Sequence, residues 1–395
     1  MDVKIEPSEL SGSIAAIPSK SYAHRILTAC ALADGQTEVL IGVISDDIRS
    51  AIQALASLGA ELKYQEGKII TTPIKLVKDP IVNCGESGTI ARFLLPIAAT
   101  LYDKGIITGE GSLMRRPFKI LCDTLEKKGC QFREKTLPIS FQGKIQSGNY
   151  RIIGNESSQY ISGLLFSLPL LCGDSRITLT TPLESSGYID MTLHILKLFG
   201  IEISCKTSYN HTVLKIKGRQ KYKSPGTIEV EGDWSNAAFW LAAGVEVTGL
   251  KLDSLQKDKL FTAVKYEKEI DASEIPDLIP ILSIMAAVKN GETRIYNIER
   301  LRLKESDRIK SIVDMLLSLG GTASLINNEI VIYGDGKLKG GTTNGSNDHR
   351  IVMSATIAAC FCEQPVIIRG AQSVSKTYPD FFNDFNKLGG KVVVI

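Results

Sequence analysis

The chain has 395 residues, more than one hydrophobic core usually organises, so at least two domains are expected. Apolar residues make up 44% and charged residues 23%, a balance that excludes a disordered chain. Lys and Arg number 46 against 43 Asp and Glu, and a net charge of +3 argues against a protein built to coat nucleic acid or an anionic membrane.

The opening MDVKIEPSEL mixes charged and apolar residues and lacks the basic-then-apolar pattern of an export signal, so a cytoplasmic location is expected. The most apolar stretch, Ile161 to Cys172, holds Gly163, two serines and Pro169. It falls short of the roughly 20 residues of a membrane span and reads as a buried helix. Eight cysteines are scattered without a C-x-x-C pair, as small buried apolar residues of a reducing compartment would be. His24, His194, His211 and His349 show no zinc-ligand spacing, so no metal is expected.

One phrase recurs along the chain: an apolar helical stretch, a glycine, then an alternating segment. It ends at Gly59, Gly129, Gly200, Gly320 and Gly389, with steps of 70, 71, 120 and 69 residues. The long step has room for one more copy, and KLFTAVKYEKEI near Val264 fits that place with its glycine lost. Glycine supplies the left-handed turn that closes a helix. Ala54, Leu55 and Leu58, like Leu316 and Leu319, share a helical face. The alternation in Glu61-Leu62-Lys63-Tyr64 and Ile201-Glu202-Ile203 predicts strands with one face buried. A second, more apolar helix stands in each unit, at 88–100, 159–171, 236–243, 276–288 and 351–362. Six units of about 65 residues, each α/β, follow. Periodicity does not choose among a ring, an open array and two lobes of three; the stretch 227–233 could serve as a hinge.

Between these helices lie short polar entries. Pro18-Ser19-Lys20-Ser21 with Arg25 opens an apolar helix, and a helix N-terminus beside a lysine, a hydroxyl and an arginine suits phosphate or carboxylate. An N-cap followed by solvated charges is the alternative. Gly85-Glu86-Ser87-Gly88-Thr89 with Arg92 offers exposed amides, but matches neither a P-loop nor a dinucleotide fingerprint. Arg115-Arg116-Pro117 reads as a solvated loop. Ser157-Ser158-Gln159 could bond a polyol or simply cap a helix. In Arg300 to Arg308, Lys304, Glu305 and Arg308 gather at a helix start, where an acid between two bases could exchange protons beside a bound anion. Asn347-Asp348-His349-Arg350 and Ser375-Lys376-Thr377 complete the set. Seven such entries, spread over both halves, suggest a small ligand with several negative charges.

In this order the motifs Pro18-Ser19-Lys20-Ser21…Arg25, Gly85-x-Ser87-Gly88-Thr89-x-x-Arg92, Arg116-Pro117, Ser157-Ser158-Gln159, Lys304-Glu305-Ser306-Asp307-Arg308, Asp348-His349-Arg350 and Lys376-Thr377-x-Pro379-Asp380 resemble the EPSP synthase (3-phosphoshikimate 1-carboxyvinyltransferase) family of enolpyruvyl transferases over nearly the whole chain. The resemblance implies a two-lobed inside-out barrel of six βαβαββ repeats, three per lobe. One lobe would be residues 19–229 and the other 1–18 with 230–395, with substrates meeting in the cleft. It implies transfer of the enolpyruvyl group of phosphoenolpyruvate to the 5-hydroxyl of shikimate 3-phosphate, in aromatic amino acid biosynthesis, by a monomer that needs no cofactor.

By the same resemblance, Glu305 is the acid at C3 of phosphoenolpyruvate, Asp277 the base at the 5-hydroxyl, and Lys20 is a third catalytic residue that touches both substrates and shares the proton work. Ser21, Arg25, Ser157, Ser158, Gln159, Ser185, Tyr188, Asp277 and Lys304 would hold shikimate 3-phosphate. Gly88, Arg116, Gln159, Arg308, Arg350 and Lys376 would hold phosphoenolpyruvate. Three positions depart: Glu86 where many members carry Asn, Arg300 where some carry Asn, and Phe93 where proline is common. A carboxylate at position 86 should weaken anion binding unless a base such as Arg92 pairs with it. The related transferase acting on UDP-N-acetylglucosamine carries a cysteine loop of the Pro-Gly-Gly-Cys type, absent here, and Lys-Asn in place of Lys20-Ser21. A non-enzymatic repeat scaffold or clamp on nucleic acid would have little electrostatic grip at this net charge.

Overall fold

Glycines 59, 129, 200, 320 and 389 all take a positive φ, between 75° and 103°, and each follows the last turn of a helix. The repeat seen in the sequence is therefore a repeat of backbone geometry. We describe residues 1–208 and 211–395 in a computed structural model.

One repeat shows the pattern in full. Strand Ile81–Asn83 leads through helix Gly88–Leu101 to strand Lys104–Thr108, then through helix Lys119–Glu126 to the hairpin Gln131–Phe132 and Ile139–Gln142. The first two strands pair parallel and the rest antiparallel, with the last strand inserted second from the edge. The same order recurs in four other four-stranded sheets. Helices Gly88–Leu101, Ser158–Ser167 and Ile279–Ala287 are apolar on nearly every side and almost wholly buried. A helix apolar all round belongs in the interior, so helices fill the core of each unit and sheets form its outer wall.

Two compact units result, one of Lys20–Val230 and one of Met1–Ser19 with Glu231–Ile395. In each, a strand from far along the chain completes a sheet. Thr227–Glu229 pairs parallel with Thr37–Leu40 in the first. Val3–Glu6 sits between Val366–Arg369 and Lys391–Val394 in the second. Inside the second unit the two chain crossings lie side by side: Ser19 N donates to Glu231 O at 2.8 Å and Asp233 N to Ile17 O at 2.8 Å.

Three expectations need correction. The sixth repeat is cut short: its sheet has two strands, Ser13–Ala15 and Glu246–Thr248. KLFTAVKYEKEI forms a 3-10 turn and a one-turn helix, then the strand Glu269–Asp271, which opens the next sheet. The 120-residue step is about 20 residues short of two periods, and the missing length is that of the terminal hairpin. The strand Glu61–Gln65 lies at a sheet edge and is largely exposed, so Tyr64 stands 41% exposed where alternation predicted a buried face. Among the cysteines, Cys172 and Cys205 are exposed, contrary to the buried reading. Among the described residues no helix is long and apolar enough to cross a membrane.

Candidate active site

In the unit Lys20–Val230, helix Lys20–Leu32 starts at the first polar entry. Lys20 Nζ meets Asp47 Oδ2 at 2.9 Å, with both side chains mostly buried. Asp47 stands in the first turn of helix Asp46–Ser57, which Ser45 caps through Ile48 N. One turn beyond Lys20, His24 is wholly buried with Nε2 3.2 Å from the Asp47 carbonyl. Burial pushes this imidazole down to about 4, so it is neutral at ordinary pH.

Arg25 is equally buried. Its Nε donates to Thr192 Oγ1 at 2.9 Å, Nη1 to Ser21 O at 2.7 Å and Nη2 to Tyr188 O at 3.0 Å. The guanidinium lies over the Phe93 and Tyr188 rings at 5.4 and 5.6 Å. Burial lowers it to about 10 and leaves it charged. Three of its five N–H groups are thus committed to protein.

Ser157 caps helix Ser158–Ser167 by accepting from Gln159 N. The Gln159 amide joins two further entries: its Oε1 accepts from Arg92 Nη1 at 2.6 Å, and its Nε2 donates to Thr89 Oγ1 at 2.8 Å. Arg92 also donates to Pro117 O and lies over Phe118 and Tyr160. Arg116 is buried, which corrects the reading of 115–117 as a solvated loop; Arg115 alone is exposed. The Arg116 guanidinium lies on Gly88, where a Cβ would fall 2.8 Å from Arg116 Cζ. Ser185, fully buried, takes a left-handed conformation at φ 53° before helix Ser186–Leu198. Such backbone strain in a non-glycine residue marks a position that the surroundings hold on purpose.

In the other unit a second cluster forms around Arg308, whose side chain is 1% exposed. Its Nη1 meets Asp277 Oδ1 at 2.7 Å, Nη2 meets Glu305 Oε2 at 2.7 Å, and Nε meets Asp348 Oδ2 at 2.8 Å. Lys304 Nζ reaches Asp277 Oδ1 at 3.2 Å, and Arg350 donates to the Asp277 carbonyl at 3.2 Å. Asp348, wholly buried, also caps helix His349–Ala358 and accepts from Ser306 Oγ. Lys376 Nζ donates to Asn347 O at 2.8 Å. The run 300–308 leads into this cluster, where Glu305 and Arg308, read together at a helix start, form an ion pair.

Burial works against the Arg308 charge, yet Asp348, Glu305 and Asp277 together hold it well above the usual guanidinium value. Burial lowers Lys304 to about 8, against the opposing pull of Asp277. Asp258, also wholly buried, accepts from Ser235 Oγ; burial and then the neighbouring Asp277 raise it to about 6, opposed by Arg350. The chemistry available here is that of paired carboxylates indexed by one guanidinium, beside further cations.

A sequence model of the family described as EPSP synthase (3-phosphoshikimate 1-carboxyvinyltransferase) matches residues 5–267 and 244–385. Proteins named 3-phosphoshikimate 1-carboxyvinyltransferase from Clostridium novyi and Clostridium acetobutylicum are 39% and 40% identical, over 98% and 99% of this chain and 98% of each relative. The chain belongs to the EPSP synthase family. Membership makes it an enzyme of the transferase class. A solved EPSP synthase from Acinetobacter baumannii superposes over 100% of both chains with a TM-score of 0.80 at 24% identity, which shows the shared fold.

Against the family pattern, Phe93 gains a definite place: it is fully buried beneath Arg25 and 5.3 Å from Phe166. Arg300 lies in the 3-10 turn Glu299–Leu303. Glu86 accepts from Ser112 N and Oγ at 3.0 and 3.1 Å. Sequence reasoning missed Asp47, Thr192 and Asp258. Asp47 could have been suspected as an acid in a capped first turn. Asp258 sits among lysines in Gln256-Lys257-Asp258-Lys259 and carries no signal of burial.

Proposed function

We propose that the chain transfers the enolpyruvyl group of phosphoenolpyruvate to the 5-hydroxyl of shikimate 3-phosphate, releasing phosphate, with Asp277 and Glu305 as the proton-transfer pair. The observation that carries the assignment of roles is the Arg308 guanidinium, which touches Asp277 through one terminal nitrogen and Glu305 through the other. Two carboxylates fixed on one planar group keep a constant spacing, as two coordinated proton transfers require.

In the first step Asp277 takes the proton of the 5-hydroxyl as its oxygen bonds to C2 of phosphoenolpyruvate, and Glu305 gives a proton to C3. A tetrahedral intermediate with a new methyl group results. In the second step the carboxylate of Glu305 removes a proton from that methyl, the C2–O bond to phosphate breaks, and the double bond returns in the product. Lys20, Arg116, Arg308, Arg350 and Lys376 balance the charge of the phosphoenolpyruvate carboxylate and phosphate, with Gly88 and Gln159 alongside. Ser21, Arg25, Ser157, Ser158, Gln159, Ser185, Tyr188 and Lys304 hold shikimate 3-phosphate. We also read the chain as a cytoplasmic monomer; eight free thiols support a reducing compartment, and sedimentation tests the monomer.

The test of the reaction is phosphate release from phosphoenolpyruvate with shikimate 3-phosphate, run beside UDP-N-acetylglucosamine. Release with the first acceptor alone is expected; release with the sugar nucleotide alone would overturn the reading.

The depressed value of Lys304 adds a pH signature. Its folded value of about 8 lies below the usual 10.5, so it loses its charge early as pH rises. kcat/KM for shikimate 3-phosphate, which reports the free enzyme, is expected to fall on the alkaline side with an inflection near pH 8. Lys304→Arg should move that inflection beyond the range; an unmoved inflection would assign it elsewhere.

A further inference from the structure

We infer that Glu86, where many family members carry Asn, is a positioning residue that fixes Arg116 against the glycine loop for phosphoenolpyruvate. The inference rests on the function proposed above, and it explains why an extra carboxylate is tolerated beside a site for anions.

Two loops leave the C-terminal ends of the parallel strands Ile81–Asn83 and Lys104–Thr108. They are joined rung by rung. Cys84 N donates to Thr108 O at 3.0 Å, Glu110 N to Gly85 O at 2.7 Å, and Asn83 Nδ2 to Glu110 Oε1 at 2.7 Å. The last rung is Glu86, whose Oε2 takes both the N–H and the hydroxyl of Ser112. Ser112 lies in the 3-10 turn Gly111–Arg115, and Arg116 follows it, with its N–H bonded to Leu113 O.

The sequence of this turn is fitted to the carboxylate. Gly111 takes φ 51°, and a Cβ there would fall 2.6 Å from Glu86 Oε2. At the other end of the turn the Arg116 guanidinium lies on Gly88, two residues after Glu86. One short loop therefore holds both the anchor of the turn and the surface on which its arginine rests. The carboxylate charge is shared with two donors of Ser112, so it is not simply an opposing charge at the anion loop. Loss of the anchor would let the turn, and with it Arg116, drift on the scale of an ångström. A shift of that size costs on the order of 100-fold in a positioned contact.

Steady-state kinetics of Glu86→Ala, Glu86→Gln, Arg116→Ala and the double variant Glu86→Ala/Arg116→Ala test this. Glu86→Ala is expected to raise KM for phosphoenolpyruvate roughly 10–100-fold, while kcat and KM for shikimate 3-phosphate stay within about threefold. Glu86→Gln, which keeps an acceptor for Ser112 N–H, should restore most of the loss. On the Arg116→Ala background Glu86→Ala should add little, because the residue it positions is gone. Additive effects in the double variant, an equal rise in both KM values, or Glu86→Gln as poor as Glu86→Ala would each overturn the inference. Should Glu86→Ala not fold, Gly111→Ala presses on the same contact from the other side and should give the same split.

A spectroscopic readout separates this inference from the proposed reaction. In the full-length protein, the Arg116 Nε–H resonance, assigned by its loss in Arg116→Ala, should shift in Glu86→Ala and stay in Glu86→Gln. An inactive wild-type protein with that shift would overturn the reaction and keep the coupling; an active one without it would do the reverse.

Discussion

Glu305→Gln is expected to lower kcat by about 10²–10⁴, the range in which positioned proton transfer contributes, while KM for either substrate changes less than tenfold. The glutamine fills the same space and still accepts a bond from Arg308 Nη2, so binding should survive. What it loses is a proton that can be given to C3 and taken back. Asp277→Asn should lose a similar factor for the hydroxyl proton. Since the two carboxylates serve one coordinated step and share one guanidinium, the double variant should be far less than additive. Single-turnover release of phosphate measures the chemical step directly. A Glu305→Gln protein that keeps near wild-type single-turnover rates would remove Glu305 from the proton path. A burst of intermediate that forms and then stalls would place its main work in the second step.

The helical half of the fold was legible because its signals are local. A glycine that must take positive φ leaves its mark at one position, and five such marks at a regular step define a repeat. Helix entries were legible for the same reason: Ser157, Asp307 and Asp348 cap their helices with their own side chains. Of the entries flagged as anion sites, those at Ser157, Asp307 and Asp348 stand at such starts, whereas Ser87 makes no capping bond and Lys376 ends a 3-10 turn. What stayed hidden depends on contacts distant in sequence. No local pattern says that 227–229 returns to pair with 37–40, or that 3–6 enters a sheet with 366–369. The shortened sixth repeat was visible only as a deficit in spacing.

Burial of charge was the least legible feature. Arg116 looks solvated in Arg115-Arg116-Pro117, and no neighbour of Arg308 in sequence points to Asp277 or Asp348 as its partners. Each is buried against residues far away in sequence: Arg116 on Gly88, and Arg308 between Asp277 and Asp348. Charged residues enter the interior only when partners meet them there, and partnership is a property of the fold. Asp258 illustrates the limit. Its neighbours in sequence are lysines, whereas its partner is Ser235 and the charges around it include Asp277 and Arg350.

Arg308→Met should be the most destabilising of the substitutions considered, by about 3–5 kcal/mol, the cost of breaking a buried ion pair from one side. Three carboxylates lose a common cation at once. Asp277 keeps Lys304 and Arg350 nearby, and Glu305 is partly exposed, but Asp348 is 0% exposed. Asp348 bears most of the cost, because its carboxylate cannot regain water without opening the start of helix His349–Ala358. The second substitution Asp348→Asn should therefore recover part of the loss. It removes the stranded charge yet keeps an oxygen for the cap on Arg350 N. Arg308→Lys should fall between, because one ammonium cannot reach three carboxylates in the geometry of a planar fork. The measurement is urea unfolding followed by tryptophan fluorescence. Both tryptophans, Trp234 and Trp240, lie in the unit that holds Arg308, so the signal reports that unit. The midpoint should drop with the slope unchanged. A midpoint equal to wild type in Arg308→Met would mean that the cluster is solvated in solution, and that Arg308 serves binding without also holding the unit together.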